Sequence, residues 1–305
     1  MVECRRKGGE VCMKFGIYFA YWEKEWNADY EHYIKKAAEL GFDIMELSCA
    51  PMDSYTDAYM QRLRDTAANY GVTLTAGYGP TPERNLSSAD PAVAKNAKAY
   101  FNDLMRRLQK MGITSVGGGL NSYWPVDYSK PVDKARDWET GVKNVREVAR
   151  TAADCGIDFC IECLNRFEGY LTNTAAEGVR FCEEVGLPNV KLLLDTFHMN
   201  IEEDSFYEAI VTAGNRLARL HTGEPNRRVP GKGRTPWFEI GSALHAIHFD
   251  GDVVMEPFVL QGGTVGSDIK VWRDLSEGAD SEKLDQDARD ALAFSRIVLG
   301  RQKGI

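Results

Sequence analysis

No run in these 305 residues approaches the roughly 20 consecutive apolar side chains that a bilayer-spanning helix needs, so a membrane is not an expected partner. A cationic surplus is missing too. The formal net charge is −8, whereas phosphate backbones are held by clustered Lys and Arg, so nucleic acid is not expected either. The sequence also lacks a cysteine framework, since its seven Cys are an odd number without regular spacing. Cys160 and Cys163 have CxxC spacing, but they lie in an apolar run that reads as a strand, where positions i and i+3 face opposite ways. No second pair completes a four-ligand zinc site. Buried, reduced thiols and a cytoplasmic location follow as expectations. The first twelve residues, MVECRRKGGEVC, are basic without the apolar centre of a signal peptide. They read as an N-terminal extension outside the fold, leaving residues 13–305 as one domain.

What is present is alternation, eight times over. Short β-branched or aromatic runs at Phe15–Phe19, Ile44–Ser48, Thr73–Gly77, Ser115–Gly117, Asp158–Cys163, Val190–Asp195, Leu217–His221 and Asp252–Glu256 read as strands. Amphipathic helical stretches are expected near 29–40, 55–70, 91–111, 133–155, 174–185, 205–215, 237–247 and 281–301. Asp90-Pro91 supplies an N-cap with proline in the first helical position, and Thr174-Ala-Ala-Glu177 is a capping box. Gly41, Gly71, Gly112, Gly156 and Gly186 stand where helices should end. This cadence predicts parallel strands with right-handed crossovers, and eight units in a chain of this length predict a single-domain (β/α)8 TIM barrel. An open doubly wound sheet would more often carry a glycine-rich phosphate loop after its first strand, and none is present. Gly117-Gly118-Gly119 lacks that spacing and is expected to leave room for backbone near a ligand.

In such barrels the chemistry sits at the C-terminal ends of the strands. The last four candidate strands end in or near Glu162, Asp195, His221 and Glu256. Each of these could be a strand-end surface group or half of a salt bridge. Together, three carboxylates and one imidazole suit a hard-to-borderline cation such as Mn²⁺, Mg²⁺ or Co²⁺. The apolar residues leading into Asp195 and Glu256 argue for burial, and buried carboxylates need a positive partner.

Six segments carry a family resemblance: YFAYWE at 18–23, ELSCAP at 46–51, ECLNRFEGYLTNT at 162–174, LLLDTFHMNIEE at 192–203, HTGEPNRRVPGKG at 221–233 and MEPF at 255–258. From Met13 to about residue 300 the chain resembles the ketose 3-epimerases, the D-tagatose and D-psicose (D-allulose) enzymes of the xylose-isomerase-like barrels. The resemblance implies that Glu162, Asp195, His221 and Glu256 hold Mn²⁺ or Co²⁺. It also implies that Glu168, His198 and Arg227 grip the O1–O3 end of a ketose, that Tyr18, Trp124 and Phe258 wall the rest of the pocket, and that the protein is a homodimer or homotetramer. The implied reaction is C3 epimerisation of a free ketohexose, D-fructose/D-psicose or D-tagatose/D-sorbose. A C3 proton is acidic because the C2 carbonyl takes up its charge, giving a cis-enediolate, and inversion needs one acid/base group on each face. Glu162 and Glu256 are the candidates for that catalytic pair.

Competing readings remain at several residues. His198 could be a structural loop histidine, Arg227 a solvated charge, Glu168 a partner of other site residues, and the three aromatics core packing. Glu46, in the second strand, could support the site from behind, while His245, His248 and His32 carry no functional expectation. Rival functions are an aldose–ketose isomerase, a keto-inositol dehydratase and a non-catalytic sugar-binding protein. An endonuclease-type phosphodiesterase would need more than five His and a basic rim.

Overall fold

A computed structural model describes residues 13–300; the extension expected over 1–12 lies outside the described residues. Eight strands alternate with helices in chain order. They are β1 (Lys14–Tyr18), β2 (Ile44–Ser48), β3 (Thr73–Gly77), β4 (Ser115–Gly118), β5 (Asp158–Glu162), β6 (Val190–Asp195), β7 (Leu217–Thr222) and β8 (Asp252–Met255). All neighbours pair in parallel, and β8 pairs with β1 to close the barrel. The expected single (β/α)8 barrel is therefore the fold.

The helices are α1 (Tyr30–Leu40), α2 (Asp57–Tyr70), α3 (Pro91–Lys110), α4 (Lys134–Asp154), α5 (Ala175–Val185), α6 (Thr196–Glu202), α7 (Phe206–Ala213), α8 (Trp237–Ala246), α9 (Gly263–Ile269) and α10 (Ser281–Val298). None is long and apolar enough to cross a membrane. Their apolar stripes face outward-pointing strand residues; on α3, for example, the Phe101 ring lies 5.8 Å from that of Phe159 on β5. The punctuation acts as expected. Asp90 caps α3 through the Ala92 N–H, and Thr174 caps α5 through the Glu177 N–H. Glu177 returns the favour one residue earlier than a standard capping box, accepting from the Asn173 N–H at 2.8 Å. Gly41, Gly71 and Gly186 close α1, α2 and α5 in the left-handed conformation.

Two helices escape the sequence reading. Both α6 and α9 have only seven residues, too short for a clear apolar stripe. Several strand bounds shift by one residue: β1 runs one residue earlier than expected, and β4 and β7 extend to Gly118 and Thr222. In turn, β5 stops at Glu162 rather than Cys163, and β8 stops at Met255, leaving Glu256 as the first residue beyond it. The Glu256 N–H still bonds to the Thr222 carbonyl at 2.9 Å, so the extended path continues that far. The glycine run after β4 is needed first by the protein itself. Gly118 has φ 127°, and a Cβ there would lie 2.1 Å from the Tyr78 carbonyl oxygen. All three glycines also line the cavity described next.

Candidate metal centre and sugar pocket

The strand ends open into a cavity of about 360 Å³. At its floor, one ligand atom from each of Glu162, Asp195, His221 and Glu256 falls within 4.8 Å of the other three. Four strands, β5 to β8, thus bring together the four residues expected from their strand-end positions.

Each ligand is oriented by its surroundings. Asp195 is the N-cap of α6: its Oδ1 accepts the Phe197 N–H at 2.8 Å, which turns Oδ2 toward the cluster. His221 directs Nε2 at Glu46 Oε1, 2.9 Å away, so Nδ1 faces the Glu256 carboxylate at 3.5 Å. That Nδ1 is buried without a hydrogen-bond partner. Burial and the neighbouring Glu256 carboxylate push the Glu162 carboxyl well above its ordinary range, and burial also raises Asp195. Burial alone would lower His221, but Glu46 and Glu256 raise it well above the usual imidazole value. Crowded carboxylates, an orphaned imidazole nitrogen and four convergent donors are what a divalent cation would satisfy, so the residues fit one.

Above the floor, the expected substrate-gripping residues form one hydrogen-bonded group. Glu168 accepts from Trp124 Nε1 at 3.0 Å and from Asn165 Nδ2 at 3.1 Å. Arg227 lies 3.4 Å from Glu168 Oε1 and 3.3 Å from Asp195 Oδ2, with its guanidinium 3.6 Å from the centre of the Phe197 ring. It is 7% exposed, which removes the reading of a solvated loop charge. His198 Nδ1 accepts the Asn165 backbone N–H at 3.3 Å, and Asn165 Nδ2 is 2.7 Å away. A backbone N–H can only donate, so the ring proton is on Nε2, which points between Glu162 Oε1 (3.7 Å) and Asp195 Oδ2 (3.8 Å). Burial lowers the His198 pKa, favouring the neutral ring.

Tyr18, Trp124 and Phe258 all line the cavity. Trp26, which the sequence reading did not single out, joins them: its ring meets Trp124 and Phe258 edge to face at 6.0 and 6.3 Å. Its Nε1 donates to Asp268 on α9 at 2.8 Å, so α9 helps form the mouth. His245 and His248 lie elsewhere, His245 bonded to the Leu299 carbonyl and His248 exposed. Cys160 and Cys163 are buried and unpaired, one beside Ser115 and the other beside the Thr174 carbonyl. They diverge as strand alternation requires.

Comparison with known proteins agrees with this geometry. The sequence pattern of the xylose isomerase-like TIM barrel family matches residues 34–282. The chain is 60% identical to a D-psicose 3-epimerase of Ruminiclostridium cellulolyticum over 287 residues, 94% of this chain and 98% of the relative. It is 58% identical to a D-psicose 3-epimerase of Agrobacterium fabrum, over 94% of this chain and 100% of that one. Among solved structures, the D-psicose 3-epimerase of Clostridium cellulolyticum H10 with D-tagatose superposes with a TM-score of 0.94 at 59% identity, covering 95% of this chain and all of that one.

Proposed function

Since this chain belongs to the ketose 3-epimerases of the xylose isomerase-like barrels and is an isomerase-class enzyme, we propose that it inverts C3 of free ketohexoses, D-fructose/D-psicose or D-tagatose/D-sorbose, with a divalent cation held by Glu162, Asp195, His221 and Glu256. The observation that carries this reading is the placement of two carboxylates, Glu162 and Glu256, in one four-residue cluster at the floor of a sugar-sized cavity. Mn²⁺ or Co²⁺ suits this oxygen-rich, one-imidazole donor set, with Mg²⁺ a poorer match. When bound, the cation would offset the negative charge that gathers on the sugar's O2 and O3 as the C3 proton leaves.

The remaining work falls to side chains. Glu162 and Glu256 stand on β5 and just beyond β8, three strands apart around the rim, so a sugar between them offers one face to each. One carboxylate takes the C3 proton from its face, the sugar passes through a planar cis-enediolate, and the other delivers a proton to the opposite face. The roles exchange for the reverse reaction. His198, with its proton on Nε2, donates to a sugar oxygen. Glu168 and Arg227 orient the hydroxyls at the O1–O3 end. Tyr18, Trp124 and Phe258 cover the carbons beyond C3 and keep water away from the reacting centre.

The test is incubation with D-fructose and Mn²⁺ in D₂O, followed by NMR. The proposal expects D-psicose carrying deuterium at C3. Deuterium confined to C1, with an aldose as product, would instead identify an aldose–ketose isomerase.

A further inference from the structure

Below the cation cluster, the barrel interior contains a charged pair that the reaction does not use directly. Arg219 has no exposed surface, although it carries a full charge. It lies two residues before His221 on β7, so strand alternation points both side chains inward. Its Nη1 is 2.6 Å from Glu46 Oε2 on β2 and 3.1 Å from the Ala76 carbonyl on β3. Its Nη2 donates to the Ser115 carbonyl and hydroxyl on β4, at 3.1 and 2.6 Å. One guanidinium thereby spans the barrel from β7 to β2, β3 and β4. Glu46 is held on its other sides as well. Thr75 Oγ1 donates to Oε2 at 2.7 Å, and His221 Nε2 approaches Oε1 at 2.9 Å.

We propose that Glu46 and Arg219 are a positioning pair for the cation centre: Arg219 clamps the Glu46 carboxylate so that it accepts the Nε2 proton of His221 and keeps Nδ1 turned toward the cluster. The physical reason is tautomer control. An ionised carboxylate only accepts, so the imidazole must carry its proton on Nε2 when the cation is bound, leaving the Nδ1 lone pair free to ligate. Partners of this kind hold a ligating ring in orientation, and their loss typically weakens metal binding by about 10–100-fold. Arg219 contributes by occupying Oε2 together with Thr75, which leaves Oε1 as the oxygen facing the ring. A salt bridge placed here only to hold the barrel together would have no need to end on His221.

This inference rests on the cation site proposed above, and the experiment separates the two. Mn²⁺ affinity is measured by calorimetry on the native protein and on a double variant, Glu46→Leu with Arg219→Met. Replacing both charges removes the buried pair without stranding either member, a change that is often neutral for stability. The expected result is a folded variant whose far-UV circular dichroism matches native and whose Mn²⁺ affinity is about 10–100-fold weaker. Equal affinity in variant and native protein would overturn the positioning role while leaving the cation site standing. Failure of the native protein to bind Mn²⁺ would remove both. If the double variant does not fold, ¹⁵N-histidine NMR of the native Mg²⁺-loaded protein decides. Of the five histidines, His198 and His221 both lie at the cluster, and the His221 signals are those that shift on loading and persist in a His198→Gln variant. A proton on Nε2 supports the pair, and a proton on Nδ1 refutes it.

Discussion

Asn165 Nδ2 lies 2.7 Å from His198 Nδ1, and its backbone N–H points at the same nitrogen from 3.3 Å. The same Nδ2 also reaches Glu168 at 3.1 Å, while Asn165 Oδ1 accepts the Phe167 N–H at 2.9 Å. Asn165 therefore sets the tautomer of His198 through its backbone N–H and braces His198 and the Glu168 carboxylate through its side-chain amide. Asn165→Ala removes the side-chain bonds and leaves the backbone donor. A loss of about tenfold in kcat/KM is expected, from one or two hydrogen bonds of about 0.5–1.5 kcal/mol each. Mn²⁺ affinity should be unchanged, because the side-chain hydrogen bonds of Asn165 go to His198, Glu168 and Phe167 and to none of the four cluster residues. Steady-state kinetics beside metal titration checks this, and a parallel fall in metal affinity would contradict the assignment.

Glu256→Gln keeps the shape of the side chain but removes its capacity to exchange a proton. At saturating Mn²⁺, kcat should fall by about 10²–10⁴, the range supplied by a positioned acid or base. Circular dichroism should show the barrel intact, since Glu256 stands at the rim beyond β8 rather than in the packed core. A variant retaining substantial turnover would take Glu256 out of the catalytic pair.

The cation and protons compete for the same groups. Burial and Glu256 raise Glu162, burial raises Asp195, and Glu46 and Glu256 raise His221 against the opposing effect of burial. A group whose folded pKa exceeds its unfolded value loses stability as pH rises through the folded value, whether it is an acid kept neutral or a base kept charged. The metal-free protein should therefore be destabilised as pH rises above the ordinary carboxylate and imidazole ranges. A bound cation removes that penalty by displacing the protons. The rise in Tm on adding Mn²⁺ to chelator-stripped protein should grow with pH, and calorimetry in buffers of different ionisation enthalpy should detect proton release. A Tm difference independent of pH would argue against a cation at these four residues.

Trp26→Phe preserves an aromatic wall but loses the Nε1 bond to Asp268 that ties α9 to the cavity mouth. One hydrogen bond of about 1 kcal/mol corresponds to roughly a fivefold change. It should appear in KM, with kcat and Mn²⁺ affinity within error of native, because Trp26 is not among the four cluster residues. Matched kinetics and metal titrations test the division. A loss confined to kcat would mean that the mouth governs chemistry rather than sugar retention.

The cation cluster was readable because its members stand at or beside strand ends, three of them directly after an unbroken apolar run. Leu192, Leu193 and Leu194 lead into Asp195, and Val253, Val254 and Met255 lead into Glu256, so the charge must lie where a buried strand ends. Arg219 left a weaker trace. Strand alternation places it on the same face as His221, but LARLHT also reads as a strand with one ordinary surface charge, and nothing local indicates Glu46, 173 residues earlier, as its partner. Asn165 and Trp26 were hidden for a similar reason. An amide in a loop and an aromatic after a strand are common, and their roles depend on what faces them across the cavity.

The sequence by itself determined the barrel and the identities of the four convergent side chains, because alternation, helix caps and strand-end position are local properties set by neighbouring residues. Only the tertiary structure decided the hydrogen-bond directions: which nitrogen of His221 faces the cluster, which nitrogen of His198 carries the proton, and which oxygen of Asp195 is spent on capping α6. Those directions are fixed by groups brought together from distant parts of the chain when the eight strands close, and no periodicity along the chain encodes them.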